Sequence, residues 1–174
     1  MAERPEAVLL DRDGTVNVKA PAGDYITHPE QLRLLPGAAQ AIKTLNHALV
    51  PVVIVTNQRG IALGRMTEED LRGVHARLTE LLADHGARVD KIFHCPHDRG
   101  CCACRKPGTL LLERARDYLG LVDLRRSLVV GDSCSDVIAG RAVGARAVLL
   151  ADHHQGLNGV ERGRSLFEVV QAVV

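Results

Sequence analysis

The sequence predicts an α/β fold with three layers, a parallel sheet covered by helices on both faces. Three observations predict it. Short, β-branched apolar runs alternate with longer stretches of helical character. The runs are brief and apolar on both faces, which suits buried parallel strands. The two irregular segments, 17–35 and 94–107, each follow a predicted strand, on the side of such a sheet where ligands bind.

In chain order, strands are expected at 6–11 (EAVLLD), 50–56 (VPVVIVT), 90–95 (DKIFHC), 127–132 (SLVVGD) and 145–150 (ARAVLL). Helices are expected at 36–48, 67–85, 108–119, 135–142 and 160–172. Pro36-Gly37 opens the first helix, and TEED at 67–70 gives the second an N-cap and an acidic first turn. Repeats, low-complexity tracts and linkers are lacking, so residues 1–174 are expected to form a single domain.

Composition narrows the function. A hydrophobic fraction of 46% with 25% charged residues is that of a soluble globular protein. A net charge of +1 provides no field for nucleic acid or anionic membrane, and no apolar run reaches the roughly 18 residues of a membrane span. The charged start MAERPEAVLL has no signal-peptide core, so a cytoplasmic, monomeric protein with reduced thiols is expected.

The chemistry starts at LLDRDGT. Asp11 ends an apolar strand and Asp13 lies two positions on, so in extended chain both carboxylates face one spot while Arg12 points away. Gly14 permits a sharp turn. Two carboxylates forced together repel, and a divalent cation such as Mg²⁺ removes that cost. Asp132 ends another strand, with Asp136 near the start of a helix; Thr56 and Asn57 end a third; Lys106 follows the cysteine-rich segment. Taken singly, each reads as a turn former or cap. Together, at the same ends of successive strands, they supply a nucleophile, an acid/base, metal ligands, a hydroxyl and an ammonium for phosphoryl transfer through an aspartyl-phosphate.

DRDGT, TNQRG, Lys106 and GDSCSD resemble the four motifs of the haloacid dehalogenase superfamily, over roughly residues 8 to 150. The resemblance implies a Rossmann-like, HAD-type phosphatase domain in which Asp11 attacks phosphorus. Asp13 would protonate the leaving alcohol and then activate water, while Thr56 and Lys106 would hold the phosphoryl group. Mg²⁺ would be bound by Asp11, Asp132 and the backbone carbonyl of Asp13.

HCPHDRGCCACRKP at 94–107 adds a second metal. Cys95 with His97, and Cys102 with Cys104, form two i, i+2 pairs, a closed Cys₃His set suited to structural zinc. A reduced compartment disfavours a disulfide, Cys101-x-x-Cys104 opens no thioredoxin-like helix, and 2% aromatics disfavour a nucleic-acid finger. Cys101 in place of Cys102, or His94 in place of His97, are the alternative ligand sets, and Cys134 is expected to fill a turn or core position. CPH followed by CxCRKP resembles the zinc-binding subgroup of heptose-bisphosphate and histidinol-phosphate phosphatases. There zinc would hold the loop that presents Arg105 and Lys106.

The gaps between motifs leave no room for a cap domain, so loops should select a small phosphorylated metabolite. The resemblance implies substrate contacts from Arg12, Asn57, Gln58, Arg59 and Arg105, with Gly23, Asp24 and Tyr25 at the entrance. Arg65 is expected on a solvated face. DRDGTVN followed by GDYITHPEQLRLLPGA resembles the heptose members, whereas the four-residue spacer 98–101 and Ser133, where many heptose members carry Lys, point toward the histidinol-phosphate type. A polynucleotide 3′-phosphatase shares the DxDGT and TNQxG patterns but wants a basic groove.

Overall fold

The computed structural model describes residues 4–150 and 159–174. Six strands, β1 (Val8–Leu10), β2 (Val52–Asn57), β3 (Lys91–Cys95), β4 (Leu128–Gly131), β5 (Arg146–Leu150) and β6 (Glu161–Gly163), form one sheet in the order β3-β2-β1-β4-β5-β6. Every pairing is parallel, with Val8 registered against both Val52 and Leu128.

Alternation along the strands divides the apolar residues between two cores. Val8, Leu10, Val52, Ile54, Leu128 and Val130 face one side, against α1 (Ala38–His47), α2 (Glu68–Asp84) and α5 (Leu166–Gln171). Leu9, Val53, Val55 and Val129 face the other, against α3 (Leu110–Leu119) and α4 (Cys134–Ala142). With both faces covered, each buried aliphatic side chain contributes about 1.5–3 kcal/mol of burial, and no strand needs a polar face.

The helix ends follow local chemistry. Thr67 caps α2: its hydroxyl accepts from Asp70 N at 3.1 Å, and its own N–H donates to Asp70 Oδ2 at 2.8 Å. At the start of α4 the Asp136 carboxylate reaches back to Ser133, accepting from its N–H at 3.1 Å and from its hydroxyl at 2.7 Å. The expected helix over 160–172 is corrected. Its first residues pair with β5 as strand β6, and the helix starts only at Leu166, after Gly163 and a Ser165 cap that accepts from Glu168 N at 3.2 Å. Glycine and a β-region cap residue oppose helix over 163–165.

Between β1 and α1 lies an irregular segment whose helical content is one 3₁₀ turn (Pro29–Gln31), and only α2 separates β2 from β3. Neither connection carries a cap domain. The connections reverse direction at the β1–β4 boundary, which opens a crevice at the C-terminal ends of those strands. Asp11 and Asp132 stand there.

Candidate active site

Asp11 follows β1 directly and is 9% exposed. Its backbone N–H donates to Val130 O at 2.9 Å, which locks the residue to β4. Burial, with the like charge of Asp136 adding to it, pushes the Asp11 carboxyl up to about 7 despite the opposing Lys106 ammonium. Lys106 Nζ donates to Asp11 Oδ1 at 2.8 Å and to Val55 O at 2.6 Å, and pairs with Asp136 Oδ1 at 2.5 Å. Burial alone would lower this ammonium, but the two carboxylates outweigh it and raise it.

Lys106 is aimed by Asn57. The Asn57 amide accepts from Lys106 N at 3.0 Å and donates to Lys106 O at 3.1 Å, tying the end of β2 to the cysteine-rich loop. Thr56 is buried, and its hydroxyl accepts from Gln58 Nε2 at 2.9 Å, which leaves its own hydrogen to donate.

Gly14 carries φ +85°, and a Cβ there would lie 2.1 Å from Asp132 Oδ2. Glycine is therefore required both for the turn and for the approach of Asp132. The Asp13 carboxylate turns the other way. It accepts from Arg12 Nη2 at 2.9 Å, Asn17 Nδ2 at 2.9 Å and Gln58 Nε2 at 2.8 Å. Burial would raise it, but the Arg12 charge and these hydrogen bonds hold it below the usual range.

Two expected substrate contacts, Arg12 and Gln58, are therefore corrected. Arg12 is fully buried and spends its guanidinium on Asp13 and His75. Gln58 is 1% exposed and bridges Asp13 to Thr56. Asn57 lines the cleft, but its amide is committed to the Lys106 backbone. Arg12 and Gln58 serve the site from inside because their polar groups meet protein partners before they reach solvent. Arg59 pairs with Asp98 at 2.5 Å, joining the loop after β2 to the cysteine-rich loop.

Gly23, Asp24 and Tyr25 stand where expected, lining with Asp13, Lys19 and Asn57 a cleft of about 450 Å³. It continues into a groove of about 720 Å³ that reaches Arg33 and Arg65. On the other side of Asn57 and Lys106, Arg105 lines a hollow of about 510 Å³ with Arg99, Cys102 and Ser135. The Arg105 Nη1 atom is buried there without a hydrogen-bond partner, a donor left for an anion.

Cation fit was tested on charge. Carboxylate oxygens of Asp11, Asp132 and Asp136 lie within 4.8 Å of one another. The cations among them are Lys106, held by Asp11 and Asp136, and the half-exposed Lys19, which pairs with Asp132. Burial still raises Asp132 despite Lys19. These carboxylates are short of positive charge, and a divalent ion fits them. The carboxylate of Asp13 is not among them, so its expected share in cation binding is confined to its backbone carbonyl. Asp136, which spacing left between a helix cap and a supporting role behind the metal ligands, both caps α4 and pairs with Lys106.

The cysteine-rich loop gathers a second cluster. Cys95, Cys102 and Cys104 Sγ atoms lie 3.1–3.5 Å apart, and His97 Nδ1 lies 3.2 Å from Cys104 and 3.6 Å from Cys95. Tetrahedral zinc with S and N ligands at about 2.3 and 2.0 Å implies edges of roughly 3.4–3.8 Å, so the donors can close on such an ion with small shifts. Cys101 is exposed and contacts Arg99 O; His94 pairs with Glu68 at 2.9 Å; neither enters the cluster. None of the five cysteines forms a disulfide.

Sequence reasoning missed Lys19, Asn17, Asp98 and His75. Asn17 and Lys19 sit in a loop without periodicity, and Asp98 and His75 act on partners far along the chain.

Comparison with known proteins agrees with this geometry. Residues 103–161 match the HAD-hydrolase-like family. A D-glycero-beta-D-manno-heptose-1,7-bisphosphate 7-phosphatase of Rhodopseudomonas palustris is 41% identical over 152 residues, 82% of each chain. The chain belongs to the haloacid dehalogenase superfamily. Within this HAD family, a D-glycero-alpha-D-manno-heptose-1,7-bisphosphate 7-phosphatase of Mycobacterium bovis is 40% identical over 80% of this chain and 74% of its own. The crystal structure of a D,D-heptose 1,7-bisphosphate phosphatase from B. bronchiseptica, complexed with magnesium and phosphate, superposes with a TM-score of 0.85. It is 33% identical and covers 96% of this chain and 97% of its own. This HAD protein is a phosphatase, and a magnesium-bound relative shares its fold.

Proposed function

We propose that the protein removes the 7-phosphate of D-glycero-D-manno-heptose 1,7-bisphosphate. The observation that carries the reading is the convergence of Asp11, Lys106 and Asp132 at the sheet's switch point in a chain 41% identical to a named heptose bisphosphatase. Unpaired thiols support a reducing, cytoplasmic setting.

Asp11 attacks phosphorus, the ester P–O bond breaks, and its electron pair goes to the leaving oxygen, which takes a proton from Asp13. Water then attacks the same phosphorus, Asp13 takes a proton from that water, and the Asp11 carboxylate returns as inorganic phosphate leaves. The Asp13 carboxylate accepts only from N–H donors, which suits the ionised form that acts as base in the second half. Lys106 and the Thr56 hydroxyl meet charge on the phosphoryl oxygens. Asp11, Asp132 and the Asp13 carbonyl would hold Mg²⁺, which neutralises the attacking carboxylate and the phosphoryl charge. Cys95, His97, Cys102 and Cys104 would hold Zn²⁺ as a closed scaffold for Arg105 and Lys106.

The cationic residues lining the cleft support a bisphosphate. Arg33 and Arg65 in the groove on one side and Arg105, with its unpartnered Nη1, on the other offer cations for a second phosphate. Initial rates on both anomers of the heptose bisphosphate, histidinol phosphate and a 3′-phosphorylated oligonucleotide test the proposal. A heptose bisphosphate should lead in kcat/KM; preference for either other substrate would overturn the assignment.

A further inference from the structure

Arg12 lies between the two motif aspartates, yet it is fully buried. Its Nε and Nη2 atoms are spent on Asp13, at 3.3 Å and 2.9–3.0 Å. The remaining arm, Nη1, reaches Nε2 of His75 on α2 at 3.1 Å. A guanidinium only donates, so Nε2 must accept, and the ring is neutral with its proton on Nδ1. The surroundings favour that state. Burial, the Arg12 charge and the nearby His94 push His75 down to about 3. His94 sets its ring 6.0 Å from His75 and pairs with Glu68, at the start of the same helix.

We propose that His75 is a positioning residue for catalysis: its Nε2 anchors the Arg12 guanidinium, and Arg12 in turn fixes the carboxylate of Asp13 for proton transfer. The inference rests on the reading of Asp13 as the acid and base. Asp13 sits in a turn after a strand of only three residues, so its carboxylate is placed by side-chain partners and not by a regular backbone element. Asn17 and Gln58 each hold it with one amide N–H, and Gln58 gives its other N–H to Thr56. Only Arg12 grips both carboxylate oxygens. A buried guanidinium with one arm unsatisfied would turn toward another acceptor and take the carboxylate with it. A neutral imidazole prevents this without adding a charge that competes for Asp13.

The test exploits leaving-group chemistry. A sugar alkoxide needs a proton from Asp13 to depart, whereas nitrophenolate does not, and kcat/KM reports the phosphorylation of the enzyme. In magnesium-supplemented full-length enzyme, His75→Leu should lower kcat/KM for the heptose bisphosphate at least about tenfold while lowering that for p-nitrophenyl phosphate less than about twofold. His75→Gln, whose amide oxygen can accept from Arg12, should restore most of the loss. The ratio of the two substrates within one variant does not depend on the fraction folded, so misfolding cannot imitate the result. Equal losses on both substrates, or no loss on either, would overturn the proposal. Asp13→Asn, measured beside it, should show the same dependence more strongly. If it does and His75→Leu does not, the positioning role falls and the reading of Asp13 stands. If Asp13→Asn loses equally on both substrates, the acid role falls and the positioning role with it.

Discussion

Asn57 and Lys106, 49 residues apart, exchange two hydrogen bonds between one amide side chain and the backbone N–H and C=O of the lysine. The amide at the end of β2 thus sets where the loop after β3 places its lysine. The Lys106 ammonium then reaches Asp11 at 2.8 Å. Asn57→Ala removes both bonds at once. Each is worth about 0.5–1.5 kcal/mol, so kcat/KM should fall roughly tenfold to a hundredfold with the fold retained, as steady-state kinetics and circular dichroism will report.

Asp136 bears on stability as well as on chemistry. Its carboxylate is 1% exposed, meets Lys106 at 2.5 Å and accepts from Ser133 N at 3.1 Å. Asp136→Asn keeps an acceptor for the cap but deprives the buried ammonium of one counter-charge. Because Asp11 still pairs with Lys106, the expected loss is about 1–3 kcal/mol, below that of a fully broken buried pair. Urea unfolding measures it, and an unchanged midpoint would reduce Asp136 to a helix cap.

The metal clusters make separable claims. Cys102→Ser should lose the zinc equivalent and much of the activity, through misplacement of Arg105 and Lys106. Cys101→Ser, at a thiol outside the cluster, should keep both. Metal analysis of the two purified variants decides the ligand set, and full zinc in the first would reassign it.

His75 gives the stability a definite acid sensitivity. Its folded pKa, about 3, lies below the ordinary 6.5, so the group stabilises the fold above 6.5, and that contribution is lost as pH falls toward 3. Between pH 7 and pH 5 the loss is about 2 kcal/mol. His75→Gln should therefore show a smaller drop over that interval by about this amount in paired urea titrations. Equal drops in the two proteins would show that the imidazole already titrates normally.

How far the sequence could be read depended on periodicity. Asp11, Asp132 and Thr56 stand where apolar strands end, and strand ends are marked by hydrophobic runs, so their convergence was legible. The cysteine cluster was legible because i, i+2 pairs on a short loop have few ways to meet. Direction within loops was not. Arg12 and Gln58 adjoin motif residues and look like substrate contacts, yet burial turns both inward to Asp13. His75 gave no signal, since it meets Arg12 across 63 residues. The strand Glu161–Gly163 was hidden because a three-residue edge strand carries too few apolar positions to differ from a helix start.

Phosphoryl transfer to Asp11 is the central claim, and an acyl phosphate can be trapped chemically. Enzyme quenched during turnover of the heptose bisphosphate and reduced with borohydride should yield a peptide in which the side chain at position 11 has become the homoserine alcohol. The product should depend on substrate and be found by mass spectrometry at that position alone. Reduction at another carboxylate, or none while phosphate is being released, would contradict the account.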